Sequence, residues 1–205
     1  MFIYFITGYL FVNWLTSFRT DIYDVSFAFE SRIPFLPIFS LGYLMAYVGV
    51  VTIYFIIHDR VEWYRAMFSF LIATTIAYVT FLIVPVEMTM RPDLANSSGL
   101  FISITKIFYF VDKPFNCFPS LHITYPTLAT ILVWKGHKRF RFLFLGMTII
   151  TAVSVVLVKQ HYIADIFAGF LTAGAGYYIA VLTMPAWQKF LIKKPIITNS
   201  CQDIG

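Results

Sequence analysis

The run Ala66-Met67-Phe68-Ser69-Phe70-Leu71-Ile72-Ala73-Thr74-Thr75-Ile76-Ala77-Tyr78-Val79-Thr80-Phe81-Leu82-Ile83-Val84 contains no charged residue. It approaches the ~20 residues that a helix needs to cross a bilayer. Several other stretches match it. The chain is 60% hydrophobic and only 12% charged, too little polar surface for a soluble domain of this size. The expected fold is all-α: a polytopic six-transmembrane-helix bundle. Its spans run over roughly Phe2–Phe18, Pro34–Ile57, Ala66–Val84, His122–Trp134, Phe142–Val158 and Tyr162–Met184. The polar, aromatic stretch Arg19–Arg32 reads as an interfacial segment after the first span. The Ile102–Phe110 part of the long Pro85–Phe118 loop reads as a short interfacial helix. Residues 1–188 form the six-span domain, and the polar residues 189–205 form a cytoplasmic tail expected to fray. The first apolar stretch has no basic leader and no small-residue cleavage site, so no signal peptide is expected.

The basic residues mark topology, not nucleic-acid binding. One alternate set of loops holds Arg60, Arg65, Lys135, Lys138, Arg139, Arg141, Lys189, Lys193 and Lys194. The other holds Arg19, Arg32, Arg91, Lys106, Lys113 and Lys159. Nine against six, with the first set crowded into short loops, puts both termini in the cytoplasm. The long loop then faces outward. Cys117 and Cys201 are too few for a disulfide framework or a zinc site, and this topology puts them on opposite sides of the membrane.

Two short stretches begin long apolar runs on that outer side: Phe118-Pro119-Ser120-Leu121-His122 and Lys159-Gln160-His161-Tyr162-Ile163-Ala164-Asp165. His161 and Asp165, four apart at a helix start, share a face. A carboxylate that accepts the Nδ1 proton fixes the imidazole tautomer and leaves Nε2 as nucleophile or base. The same pairing also satisfies two polar groups between helices, but ionisable residues within spans are costly and usually functional. Ser120 reads as a helix cap before His122, and backbone amides at a helix start favour an anion. Arg91, with its two-oxygen fork, and Lys159, a mobile point charge, are the candidate phosphate clamps. His58 and His137 fall in the opposite loops and read as solvated. Gly169, Ala173, Gly174 and Gly176 form a small-residue patch for close helix packing. No metal-ligand cluster and no cofactor motif is evident.

At this point the chain resembles the type 2 phosphatidic acid phosphatase superfamily, whose motifs are K-x6-RP, PSGH and SR-x5-H-x3-D. The second reads Pro119-Ser120-Leu121-His122, and the third reads Ser154-Val155, five residues, His161, three residues, Asp165. The first survives as Arg91-Pro92, with Val84 at the lysine position. Val155 stands where the family has arginine, and Lys159, one helical turn later, is the expected substitute. Phe-Pro-Ser-Leu-His together with Lys-Gln-His-Tyr-x-x-Asp is similar to the branch containing inositol phosphorylceramide synthase and its bacterial relatives, and Ile33-Pro34-Phe35-Leu36-Pro37 also resembles that branch and the sphingomyelin synthases.

The resemblance implies a metal-independent phosphoric ester hydrolase acting on a lipid phosphate or diphosphate, its site on the non-cytoplasmic face. His161, oriented by Asp165, attacks phosphorus; His122 serves as acid, then base. Arg91, Lys159, Ser120 and the Leu121 amide stabilise the phosphoryl oxygens. The implied partners are the lipid phosphate substrate and the bilayer. The alternatives are a lipid phosphotransferase and a non-enzymatic membrane protein whose His–Asp pair is structural.

Overall fold

The structure is a computed structural model that describes residues 2–191 (backbone only for residues 2 and 185–191). Among the described residues it is all-α. Seven helices run in the order α1 Phe2–Thr16, α2 Ser40–Ile56, α3 Arg60–Ile83, α4 Leu100–Val111, α5 Leu121–Gly136, α6 Arg141–Leu157 and α7 Ile163–Leu191. Three segments are long and apolar enough to cross a membrane: Pro37–Ile56, Arg60–Ile83 and Ile163–Met184. They indicate a multi-pass membrane protein.

The other expected spans form helices of less than membrane length or hydropathy, so six crossings are not established. α6 has 17 residues, which at ~1.5 Å per residue covers roughly 26 Å, short of the ~30 Å hydrocarbon core. Ile3–Thr16 is shorter still. α5 differs in composition. It carries Thr124, Pro126 and Lys135 and lies in the middle of the bundle, packed on α2, α3, α6 and α7. Ile123, Leu128, Ala129 and Val133 are wholly buried there, so neighbouring helices, not lipid, surround it. Phe55, Ile83, Leu171 and Leu182 point outward instead, as expected of side chains that face lipid tails.

Local chemistry sets the helix starts. The Asp59 carboxylate accepts the Glu62 amide at 2.9 Å and caps α3. The segment after α1 is extended, with a 3-10 turn at Ala28–Arg32. Its Tyr23 amide donates to the Pro85 carbonyl at 2.9 Å. The expected interfacial helix is α4. The long loop folds over the bundle mouth, where Val86, Met88, Cys117 and Tyr162 form a small core of their own. Most of the expected tail lies outside the described residues, along with Cys201, and α7 continues through residues 189–191 of it.

Two of the four small residues expected to pack closely are tight contacts. A Cβ at Gly176 would meet Ala73 Cβ at 2.7 Å and the Ser69 carbonyl at 2.9 Å on α3. One at Gly169 would meet the Ser120 carbonyl at 2.8 Å and Ile123 Cβ at 2.9 Å on α5. Ala173 is fully buried. Gly174 has nothing within 4 Å of an added Cβ and takes no part in the packing. Gly169→Ala should therefore destabilise the fold by roughly 1–3 kcal/mol, the usual cost of overpacking against a rigid backbone. Gly174→Ala should be neutral or slightly stabilising. Thermal unfolding in detergent checks the pair, and equal midpoints for the two variants would contradict the packing described.

Candidate active site

Two contacts bring the histidine motifs together. The Ser120 amide donates to the Asp165 carbonyl at 3.2 Å. One turn on, the Thr124 hydroxyl reaches the Gly169 carbonyl at 3.2 Å, with both groups buried. The starts of α5 and α7 are thereby held side by side. The Asp165 carboxylate, with no solvent exposure, accepts from the Tyr162 amide at 2.9 Å and pairs with His161 Nδ1 at 3.1 Å. That leaves His161 Nε2 facing His122 Nδ1 at 3.1 Å. The opposite edge of the His122 ring is held as well: Nε2 lies 2.6 Å from the Tyr43 hydroxyl and 3.0 Å from that of Tyr47.

The rings border a narrow cleft, lined also by Tyr9, Arg91, Asp112, Lys113, Asn116, Leu121 and Gln160. Arg91 lies at its wall as expected. It donates from Nη1 to the Asp112 carbonyl at 2.9 Å and from Nη2 to the Gln160 side chain, and it rests on the Tyr109 ring. Its Nε–H is buried without an acceptor among the described residues. Asn116, held at a φ of 59°, is in the same position. Its Oδ1 accepts from Thr16 at 2.9 Å, while Nδ2 has no partner. Both residues line the cleft.

Three expectations are corrected. Lys159 does not continue the α6 face. The helix ends at Leu157, and Lys159 takes a φ of 52°, so the one-turn spacing from Val155 no longer applies. Its ammonium donates to the Glu30 carbonyl at 2.9 Å and does not line the cleft. Burial pushes its pKa down, partly offset by the Glu30 charge. Ser120 starts α5 but makes no side-chain cap; its hydroxyl is buried without a partner and also lies off the cleft. His137 is not simply solvated, since it lies 3.2 Å from Glu62. His58 is exposed.

Sequence reasoning missed Asp112, Lys113, Asn116 and Gln160 as cleft groups, and Tyr43 as the partner of His122. The Asp112-Lys113-Pro114 break between apolar segments was the readable signal for two of them. Nothing distinguishes Tyr43 among 13 tyrosines until the chain is folded. It also missed Glu30. The Glu30 carboxylate accepts the Ile163 amide at the start of α7 and the Phe27 amide, each at 2.6 Å. It thus fastens the segment after α1 beneath the His161 loop.

Cys117, His161 and Asp165 place potential metal-ligating atoms within 4.8 Å of one another. The Cys117 thiol donates to the Pro114 carbonyl at 3.1 Å. Asp165 Oδ2 is shared between His161 and the Tyr162 amide, while Oδ1 is buried without a partner among the described residues.

A family model described as the PAP2 superfamily matches residues 28–179. The match begins at the turn that carries Glu30, ends within α7 and includes every cleft residue named above except Tyr9. No curated protein and no solved structure gives a significant match. With most of its length and both histidine motifs inside that match, the chain belongs to the PAP2 superfamily, a membership that points to a metal-independent phosphatase.

Proposed function

We propose that this chain is an integral-membrane lipid phosphate phosphatase that works through a phosphohistidine on His161. The observation that carries the reading is the facing of His161 Nε2 and His122 Nδ1 at 3.1 Å, on a cleft that Arg91 and Asn116 also line. Asp165 holds the Nδ1 proton of His161, so the Nε2 lone pair attacks phosphorus. As the N–P bond forms, the P–O bond to the lipid alcohol breaks, and His122 gives its Nδ1 proton to the departing oxygen. In the second half, His122 Nδ1 takes a proton from water. The hydroxide attacks phosphorus, the N–P bond breaks and inorganic phosphate leaves. Positioning and charge stabilisation dominate phosphoryl transfer. Here they fall to Arg91, Asn116, Lys113 and the Leu121 amide at the positive end of α5. Lys113 is a residue of the cleft wall whose ammonium rests 5.0 Å from the Phe110 ring centroid, and in this reading it swings inward to take the role first assigned to Lys159.

The substrate class follows from the setting. A cleft at one end of a bundle of membrane-length helices suits an amphiphile whose head meets the histidines while its tails stay in lipid. The charge asymmetry between the two loop sets supports a non-cytoplasmic site.

Purified protein in detergent should release inorganic phosphate from a lipid phosphate without any added alcohol, and excess chelator should not stop it. Loss under chelation with recovery on magnesium would sink the mechanism. Release only when a lipid alcohol is supplied, with the phosphorylated head appearing on that alcohol, would replace hydrolysis by transfer. His161→Ala should abolish turnover. Lys113→Ala should lower kcat/KM by about tenfold or more, comparable to losing a charged transition-state contact. Lys159→Met should act on stability more than on kcat. A larger kcat loss for Lys159→Met than for Lys113→Ala would return the phosphate role to Lys159.

For orientation, His137→Cys should resist an impermeant thiol reagent in intact cells, and Ser97→Cys should react with it, on a background lacking Cys117 and Cys201. The reverse pattern would turn the site to the cytoplasm.

A further inference from the structure

From the geometry we infer that Asp112, acting through the Tyr43 hydroxyl, is the positioning residue that holds His122 as the general acid, as Asp165 holds His161 as the nucleophile; this rests on the acid role proposed above for His122.

The Tyr43 hydroxyl lies 3.0 Å from Asp112 Oδ2 and 2.6 Å from His122 Nε2. A carboxylate can only accept, so the single phenolic proton goes to Asp112. The Tyr43 oxygen then accepts, from the Nε2–H of His122 at 2.6 Å and more distantly from Gln160 Nε2 at 3.5 Å, and the Tyr47 oxygen, 3.0 Å from Nε2, shares the same imidazole proton. With the Nε2 proton held there, Nδ1 is the nitrogen that exchanges protons. It is also the one that faces His161 Nε2, at 3.1 Å. The contact between the rings takes one shared proton. His161 keeps its own Nδ1 proton toward Asp165, so in the acid form of the pair the shared proton sits on His122 Nδ1. In that form His122 carries both protons. That is the form a general acid needs, and a phosphoryl group arriving at His161 Nε2 frees the Nδ1–H for the leaving oxygen.

A doubly protonated ring in a mostly buried site needs a counter-charge. Around His122 stand Tyr43 and Tyr47 from α2, Asp112 from the end of α4, and His161 with Asp165 from the start of α7. Arg91, from the loop, lines the same cleft. Asp165 is committed to His161. Asp112 Oδ2 is 3.8 Å from His122 Nε2, and His122 is its only ion-pair partner among the described residues. Tyr9 and Tyr43 donate to the two Asp112 oxygens, while Arg91 takes only its backbone carbonyl. Neutral donors orient the carboxylate without quenching its charge, which leaves that charge for the imidazolium.

The test separates this role from simple packing by leaving-group dependence, since an activated aryl phosphate departs with little protonation. The full chain is assayed on a long-chain alkyl phosphate and on nitrophenyl phosphate. Asp112→Asn should lower kcat/KM on the alkyl phosphate by roughly 10- to 100-fold, as partial loss of general acid catalysis does. On the aryl phosphate it should lose less than about threefold. Tyr43→Phe keeps the ring and removes the bridging hydroxyl, so it should show the same selectivity, and Asp112→Glu should recover part of the alkyl activity. Equal losses on both substrates in Asp112→Asn and Tyr43→Phe, or no loss on either, would overturn the proposal. His122→Ala is the reference. If it is selective and Asp112→Asn is not, the Asp112 role fails and the phosphatase reading stands. If His122→Ala is itself unselective, the acid assignment falls and takes this inference with it.

Discussion

One backbone hydrogen bond, from the Ser120 amide to the Asp165 carbonyl, locks the mouth of α5 against the mouth of α7. His122 lies two residues beyond the donor, and His161 four residues before the acceptor. The backbone crossing brings the two histidines together, and Tyr43, Tyr47 and Asp165 hold their rings. Gly169 is a glycine for the same reason: the Ser120 carbonyl occupies the space a Cβ would need. A shift of an ångström at this crossing would part the two facing nitrogens, and phosphoryl transfer tolerates little misplacement. Glu30 supports the crossing from below by accepting the Ile163 amide. A carboxylate there also complements the positive start of α7.

The helical fold was legible because apolar run length is a crude signal that survives without tertiary information. What it could not show is which runs meet lipid. α5 reads as a span like the others, yet neighbouring helices bury it, and its threonines and proline are tolerated for that reason. The His161–Asp165 pair was legible from its four-residue spacing, although α7 starts only at Ile163 and His161 precedes the helix. Lys159 failed on the same rule: the turn spacing presumes a helix, and α6 stops two residues earlier. Lys113 and Asn116 lie on a connecting loop, whose path over the bundle no periodicity reveals. Tyr43 reaches His122 from another helix, and only the packing of α2 against α5 brings them together.

The cleft is charged in a way that suits a transferring phosphoryl group. Arg91 is braced by Gln160, the Asp112 carbonyl and the Tyr109 ring, so its guanidinium needs little reorganisation. Preorganised donors stabilise developing charge far better than mobile ones. Side-chain cations of this kind carry the charge work that a metal ion does in other phosphoryl-transfer sites.

The central claim is that His161 becomes covalently phosphorylated during turnover. Rapid-quench mixing of the full chain with a lipid phosphate radiolabelled at phosphorus tests it most directly, with the modified peptide mapped by mass spectrometry. The account predicts an acid-labile, base-stable label that forms and decays at rates matching turnover, resides on His161, and is missing from His161→Ala. Phosphate release at the normal rate without any such label, or a label on a different residue, would contradict it.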